Sequence, residues 1–211
     1  MADLKRILLV PYFGKFPEWM AKYEPPIGYD FLLDTNLEKF KQRVGDILHI
    51  KCPIVAGTGK VWDYRPALGL LYEEEIKGFD FWGTTDLDCV YGDVDKWFTD
   101  AQLNELDIWS NHDTYVCGFW SLYRNNNIVN SVFMYAQEWK EYLNEPEPNG
   151  WVEGKYSRIV ESSGLRYKYS GDLQGDPYHP PFNLKKIDGK LFQDGIEIPC
   201  LHFRRSKIWP L

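Results

Sequence analysis

Short apolar runs of strand length alternate with helix-period segments through the first half of the chain, and this alternation restricts the fold more than any other feature. Arg6 to Val10 ends in Pro11-Tyr12-Phe13-Gly14, and Tyr29 to Leu33 ends at Asp34-Thr35-Asn36. Leu37 to Val44 reads as a short helix and Ile47 to Ile50 as a third strand. Asp63 reads as the cap of a helix from about Tyr64 to Lys77, with Pro66 tolerated in its first turn and Gly78 as its stop. Phe79 to Thr85 is the most apolar strand, and Val116 to Tyr123 is another. Asn126 to Leu143 has the pattern of a long amphipathic helix, broken beyond its end by Pro146 and Pro148, and Trp151 to Ser162 reads as a further helix. The last third reads as β-structure, with a hairpin at Ile187-Asp188-Gly189-Lys190 and a final strand from Ile198 to Phe203. Such an order predicts an α/β fold: a mixed, mostly parallel central sheet flanked by helices, with a smaller antiparallel C-terminal part.

The 211 residues suit one domain with a sizeable core. A net charge of -7 argues against nucleic acid as a partner, because that binding needs a basic footprint. It also means that an anionic ligand would need local cations, either side chains or a metal ion. Aromatic residues make up 17% of the chain, which a ring-rich core explains and which also suits stacking on sugar faces. Cys52, Cys89, Cys117 and Cys200 are widely spaced, as expected of reduced, buried thiols. The run Ile7 to Val10 is too short for a signal peptide or a membrane span, so a cytosolic location is the expectation.

The strand Phe79 to Thr85 leads directly into Asp86-Leu87-Asp88. In open α/β sheets ligands gather at the carboxyl ends of strands. Two carboxylates facing one point repel, and a hard divalent cation such as Mn²⁺ or Mg²⁺ relieves the repulsion while keeping positions open for phosphate oxygens. A solvated acidic turn would carry the same three residues, so the spacing alone leaves both readings open.

The segment Phe79-Asp80-Phe81-Trp82-Gly83-Thr84-Thr85-Asp86-Leu87-Asp88 resembles the Asp-x-Asp segment of GT-A-type glycosyltransferases. Three further stretches are similar in the right chain order: Ile7 to Gly14, the segment with Asp63, Tyr64 and Arg65, and the tail Leu201-His202-Phe203-Arg204-Arg205-Ser206-Lys207-Ile208-Trp209-Pro210. The likeness is to small bacterial and viral GT-A domains that open with Val-Pro-Tyr-Phe-Gly, including those that build capsid glycans. It implies a single GT-A-like domain over residues 1–211, with a nucleotide-binding part to about 110 and an acceptor side beyond. It implies a metal-dependent transferase moving a sugar from a UDP-sugar donor, such as UDP-glucose or a related hexose or deoxyhexose, to an oligosaccharide or glycoprotein glycan. Further domains of a longer chain, and the host cytoplasm for a viral protein, belong to the same expectation.

By this resemblance Asp86, Asp88 and His202 hold Mn²⁺ or Mg²⁺, and Lys207 neutralises the departing diphosphate with Arg204 or Arg205 nearby. Pro11, Tyr12 and Phe13 wall the base, Asp34 bonds its edge, and Arg65, with Asp63 beside it, approaches the nucleotide. The family tail often carries a glycine at or next to the position of Arg205, which leaves open the basic residue that touches phosphate. The His202 and Lys207 tail is similar to that of retaining members, which need no base; an inverting enzyme would need one, with Glu153, Asp172 and Asp113 as candidates. Two other classes fit parts of the pattern: a non-catalytic carbohydrate-binding module, and a sugar-phosphate nucleotidyltransferase. The second should carry a glycine-rich basic loop after the first strand, where this chain has only Gly14 and Lys15.

Overall fold

A computed structural model describes residues 3–171, 173–175 and 183–203. The strands are β1 (Arg6–Pro11), β2 (Tyr29–Asp34), β3 (Phe81–Thr85), β4 (Cys89–Tyr91), β5 (Ile108–Ser110), β6 (Trp120–Arg124), β7 (Tyr167–Tyr169), β8 (Leu184–Ile187), β9 (Lys190–Gln193), β10 (Ile196–Ile198) and β11 (Cys200–His202). Six form the central sheet in the order β2-β1-β3-β6-β5-β7, in which β6 alone runs against the others. Three antiparallel strands, β8 to β10, and the β4–β11 pair form the smaller part. This is the mixed, mostly parallel sheet with an antiparallel C-terminal part that the residue pattern predicts.

Alternation along the strands sends side chains to two faces. Ile7, Leu9, Trp82 and Tyr123 enter one buried cluster, with Phe40, Leu68, Val129 and Val160 from the helices above it. Leu8, Phe81, Trp120 and Leu122 enter the other, with Leu103, Phe98 and Tyr91. Both faces are covered, which is why the inner strands read as unbroken apolar runs.

Several helices differ from the reading of the sequence. The helix α1 (Leu37–Leu48) takes up the first half of Ile47 to Ile50, the segment expected as a third strand, and no strand forms there. The Asn36 side chain caps it, Phe40, Val44 and Leu48 bury one stripe, and His49 ends it in the left-handed region at φ 55°. The helix expected from Tyr64 is instead a 3-10 helix, Gly59–Ala67, followed by the single turn α2 (Leu68–Leu71). Asp63 lies inside the 3-10 stretch rather than at a cap, because its carboxylate pairs with buried Lys60. After α3 (Asp100–Asn104) and the unanticipated edge-side strand β5, the long helix expected over Asn126 to Leu143 is three pieces: α4 (Asn127–Ser131), a 3-10 turn Val132–Tyr135 and α5 (Trp139–Asn144). Ser131 Oγ donates to the Asn127 carbonyl at 2.6 Å, a back-bond that bends helices. The breaks let Phe133 and Trp139 meet edge to face at 5.4 Å in one core. The last helical segment is a π-helical turn, Val152–Tyr156, running into α6 (Ser157–Ser162). Strand β6 begins at Trp120 rather than Val116, and the hairpin turn at Asp188-Gly189 has both residues at positive φ, as its sequence predicts. The final strand is divided into β10 and β11 around Pro199. Among the described residues no helix is long and apolar enough to cross a membrane.

Candidate metal and donor site

Strands β1, β2 and β3 are parallel, so their carboxyl ends bring Pro11, Asp34 and Thr85 to one edge of the sheet. The chain leaves β3 through Asp86-Leu87-Asp88 and returns as β4. Strand β11 lies antiparallel to β4 with His202 opposite Cys89, and the Phe203 N–H donates to the Asp88 carbonyl at 3.0 Å. This pairing carries His202 to a pair of aspartates more than a hundred residues earlier. His202 Nε2 lies 3.0 Å from Asp88 Oδ1 and 3.4 Å from Asp86 Oδ2. The imidazole is buried and stacks on Phe119 with ring centroids 4.7 Å apart.

These separations suit a shared cation. Adjacent ligands of an octahedral ion with bonds of ~2.1 Å lie about 3 Å apart, near the two separations measured from His202. Two carboxylate oxygens and one imidazole nitrogen form a hard-to-borderline donor set appropriate to Mn²⁺ or Mg²⁺. The ligand atoms of Asp88, Cys89 and His202 all lie within 4.8 Å of one another, a group that does not include Asp86. The Cys89 thiol, however, belongs to the buried apolar cluster, and burial, followed by the Asp88 and Asp86 charges, holds it well above the usual thiol range. A cysteine sulfur is moreover a soft donor, poorly matched to a hard ion such as Mg²⁺.

A cavity of about 960 Å³ opens over this group, large enough for a nucleotide-sized ligand. Pro11 and Tyr12 form part of its wall, and Asp86, Asp88 and His202 line it together with Arg65, Trp62 and Glu18. Arg65 donates to Asp86. A Cβ at Gly118 would run into the Arg65 guanidinium, so that glycine makes room for the arginine. Trp62 stands three residues before Arg65, one 3-10 turn away, which puts both side chains on the same helical face. The indole is 56% exposed and rests on Gly59, where an added Cβ would meet its ring at 2.5 Å.

The structure brings together Pro11, Tyr12, Arg65, Asp86, Asp88 and His202 of the residues singled out from sequence. It places the others elsewhere. Phe13 is buried against Phe40 with centroids 5.1 Å apart. Asp34 accepts from the Tyr72 hydroxyl at 2.6 Å and the Asn36 N–H at 2.9 Å. Asp63 is buried, accepting from Lys60 Nζ at 3.0 Å and from the Asn149 N–H at 3.1 Å. Glu153 is exposed on the π-helical turn, and Asp113 is exposed beside His112. Asp172, Arg204, Arg205 and Lys207 lie outside the described residues. Trp62 and Glu18 escaped the sequence reading. Trp62 fell just before the expected helix start at Asp63, and Glu18 is followed by no regular periodicity.

The family model described as "Family of unknown function (DUF6625)" matches residues 30–188. No curated protein matches the chain. Among solved structures, a glycosyltransferase involved in the glycosylation of the major capsid of PBCV-1 is similar at 11% identity and a TM-score of 0.48, over 82% of this chain and 83% of that one. Mouse xyloside xylosyltransferase 1 in its apo form is similar at 9% identity and a TM-score of 0.37, over 82% and 79% of the two chains.

Proposed function

Because the chain belongs to DUF6625, a family of unknown function, its activity has to be read from the site, and we propose that it is a metal-dependent glycosyltransferase moving a sugar from a UDP-sugar to a glycan hydroxyl. The observation that carries this is the convergence of Asp86, Asp88 and His202 in one cavity at the carboxyl end of β3. Among the described residues the cavity has three carboxylates, Glu18, Asp86 and Asp88, against one permanently charged cation, Arg65. A diphosphate entering such a site needs added positive charge. A bound Mn²⁺ or Mg²⁺ would supply it and stabilise the charge developing on the leaving group.

The protein's own residues do the rest. Asp86, Asp88 and His202 hold the ion, and the Phe119 ring and the β4–β11 pairing fix the imidazole. Arg65 holds Asp86 in place and presents its remaining donors to phosphate oxygen. Pro11 and Tyr12 offer an apolar wall to the base, and Trp62 offers an exposed ring for a base or sugar face. Asp34 and Asp63 act in this reading by fixing that frame from behind, and Phe13 by packing beneath it. Lys207 is assigned to the diphosphate through the family resemblance alone, as are uridine and a glucose-like donor sugar.

Calorimetric titration of UDP and of UDP-glucose, with and without Mn²⁺, into the native chain and Asp88→Ala tests the proposal. Binding should require both the ion and Asp88, with affinity falling at least about 100-fold when either is removed, on the order of 3 kcal/mol. Absence of nucleotide binding by the native chain would reject a transferase and favour a carbohydrate-binding module using the same aromatic wall.

A further inference from the structure

Glu18 opens the short 3-10 helix Glu18–Lys22 and lines the same cavity as the two aspartates. Met20 of that helix packs in one small buried cluster with Val10 and with Leu87, the residue between Asp86 and Asp88. The helix is thereby stapled to the acidic turn, and Glu18, exposed at its start, lines the cavity that the turn also lines. The three cavity carboxylates differ in what they already hold. Asp86 is engaged by Arg65 and His202, and Asp88 by His202. The Glu18 side chain makes no hydrogen bond or ion pair with any described residue. A carboxylate occupied by a cation is a poor proton acceptor, whereas one left open to the cavity is available for that task. Glu153 and Asp113, the described alternatives, do not line the cavity.

We propose that Glu18 is the general base that takes the proton of the acceptor hydroxyl, and hence that transfer inverts the anomeric carbon; this rests on the transferase reading above. The acceptor oxygen forms its bond to the anomeric carbon as the bond from that carbon to the β-phosphate oxygen breaks. The bonding pair leaves with the diphosphate, and the hydroxyl proton passes to a Glu18 carboxylate oxygen. A retaining transfer that used the leaving phosphate as base would have no need of Glu18. The likeness of the tail to retaining members is thus set against a cavity carboxylate that no described residue engages.

Water serves as the simplest hydroxyl acceptor, and azide as an acceptor with no proton to lose. The experiment measures UDP release from UDP-glucose, UDP-galactose, UDP-xylose and UDP-N-acetylglucosamine with Mn²⁺, for the native chain and Glu18→Gln, with and without sodium azide. Calorimetry with UDP and Mn²⁺ runs alongside. Glu18→Gln is expected to bind UDP and Mn²⁺ as the native chain does, while its release of UDP into water falls about 100- to 10,000-fold. Azide should restore release, and proton NMR should find the glycosyl azide inverted. Equal release by both proteins, no release by a native chain that binds UDP, failure of azide to restore release, or a retained product overturns the assignment of Glu18. Failure of the native chain to bind UDP and Mn²⁺ overturns the transferase reading itself, and this inference with it.

Discussion

Gly118 has no side chain because Arg65 occupies the space one would fill. An added methyl there must move either the guanidinium or the backbone leading into β6. Moving the guanidinium breaks its contact with Asp86, one of the proposed ligands. Gly118→Ala is therefore expected to weaken binding of UDP with Mn²⁺ about tenfold, the order of one charge-assisted hydrogen bond of ~1.5 kcal/mol. Calorimetry would measure this, with circular dichroism to check that the fold is intact. Unchanged affinity would mean that Arg65 plays no part in holding the site. Gly59 stands in the same relation to Trp62, whose ring lies across it. Neither glycine's partner was legible, because the group that demands its absence of a side chain is known only from the folded chain. The placement of Asp86 and Asp88 at the end of β3, by contrast, was legible, since one apolar strand delivers both.

At the level of elements, the 3-10 helix Gly59–Ala67 divides its residues between two tasks. Trp62 and Arg65 face the cavity, while Lys60, Asp63 and Tyr64 grip the segment between α5 and the π-helical turn. Lys60 Nζ donates to the Tyr142 carbonyl at 2.6 Å, Tyr64 Oη to the Leu143 carbonyl at 2.9 Å, and Trp151 Nε1 to the Asp63 carbonyl at 2.8 Å. The Lys60–Asp63 pair is almost wholly buried, at 0% and 2% exposure. Replacing one partner leaves the other charged and desolvated, so Lys60→Met should cost about 3–5 kcal/mol of stability. The double change Lys60→Met with Asp63→Leu should recover more than half of that loss. Denaturant melts of the three proteins decide the point, and a single variant as stable as the native chain would sink it. Sequence periodicity could not reveal this arrangement, because a 3-10 stretch has three residues per turn and the apolar pattern was read on a period of 3.6.

For the molecule as a whole, the sheet separates two large apolar clusters, and the four cysteines are buried on both sides of it. Burial pushes the Cys117 thiol up to about 12, and it raises those of Cys52 and Cys89 as well. Alkylation by iodoacetamide at pH 8 should accordingly be slow in the native protein and should follow global unfolding in denaturant. Rapid labelling of Cys89 or Cys117 without denaturant would show that the packing described here opens locally. By itself the amino-acid sequence determined the fold class, the strands β1 to β3, the hairpin turn at Asp188-Gly189 and the acidic turn after β3. Those features are written in local periodicity and turn chemistry, which neighbouring residues decide among themselves. Only the tertiary structure decided that His202 meets the aspartates, that Asp63 turns inward to Lys60, and that Trp62 and Glu18 reach the cavity. Each depends on segments distant in the chain: even Lys60 and Asp63, only three residues apart, are buried beneath the Tyr142 carbonyl and the Asn149 N–H, where burial and charge compensation outweigh local preference.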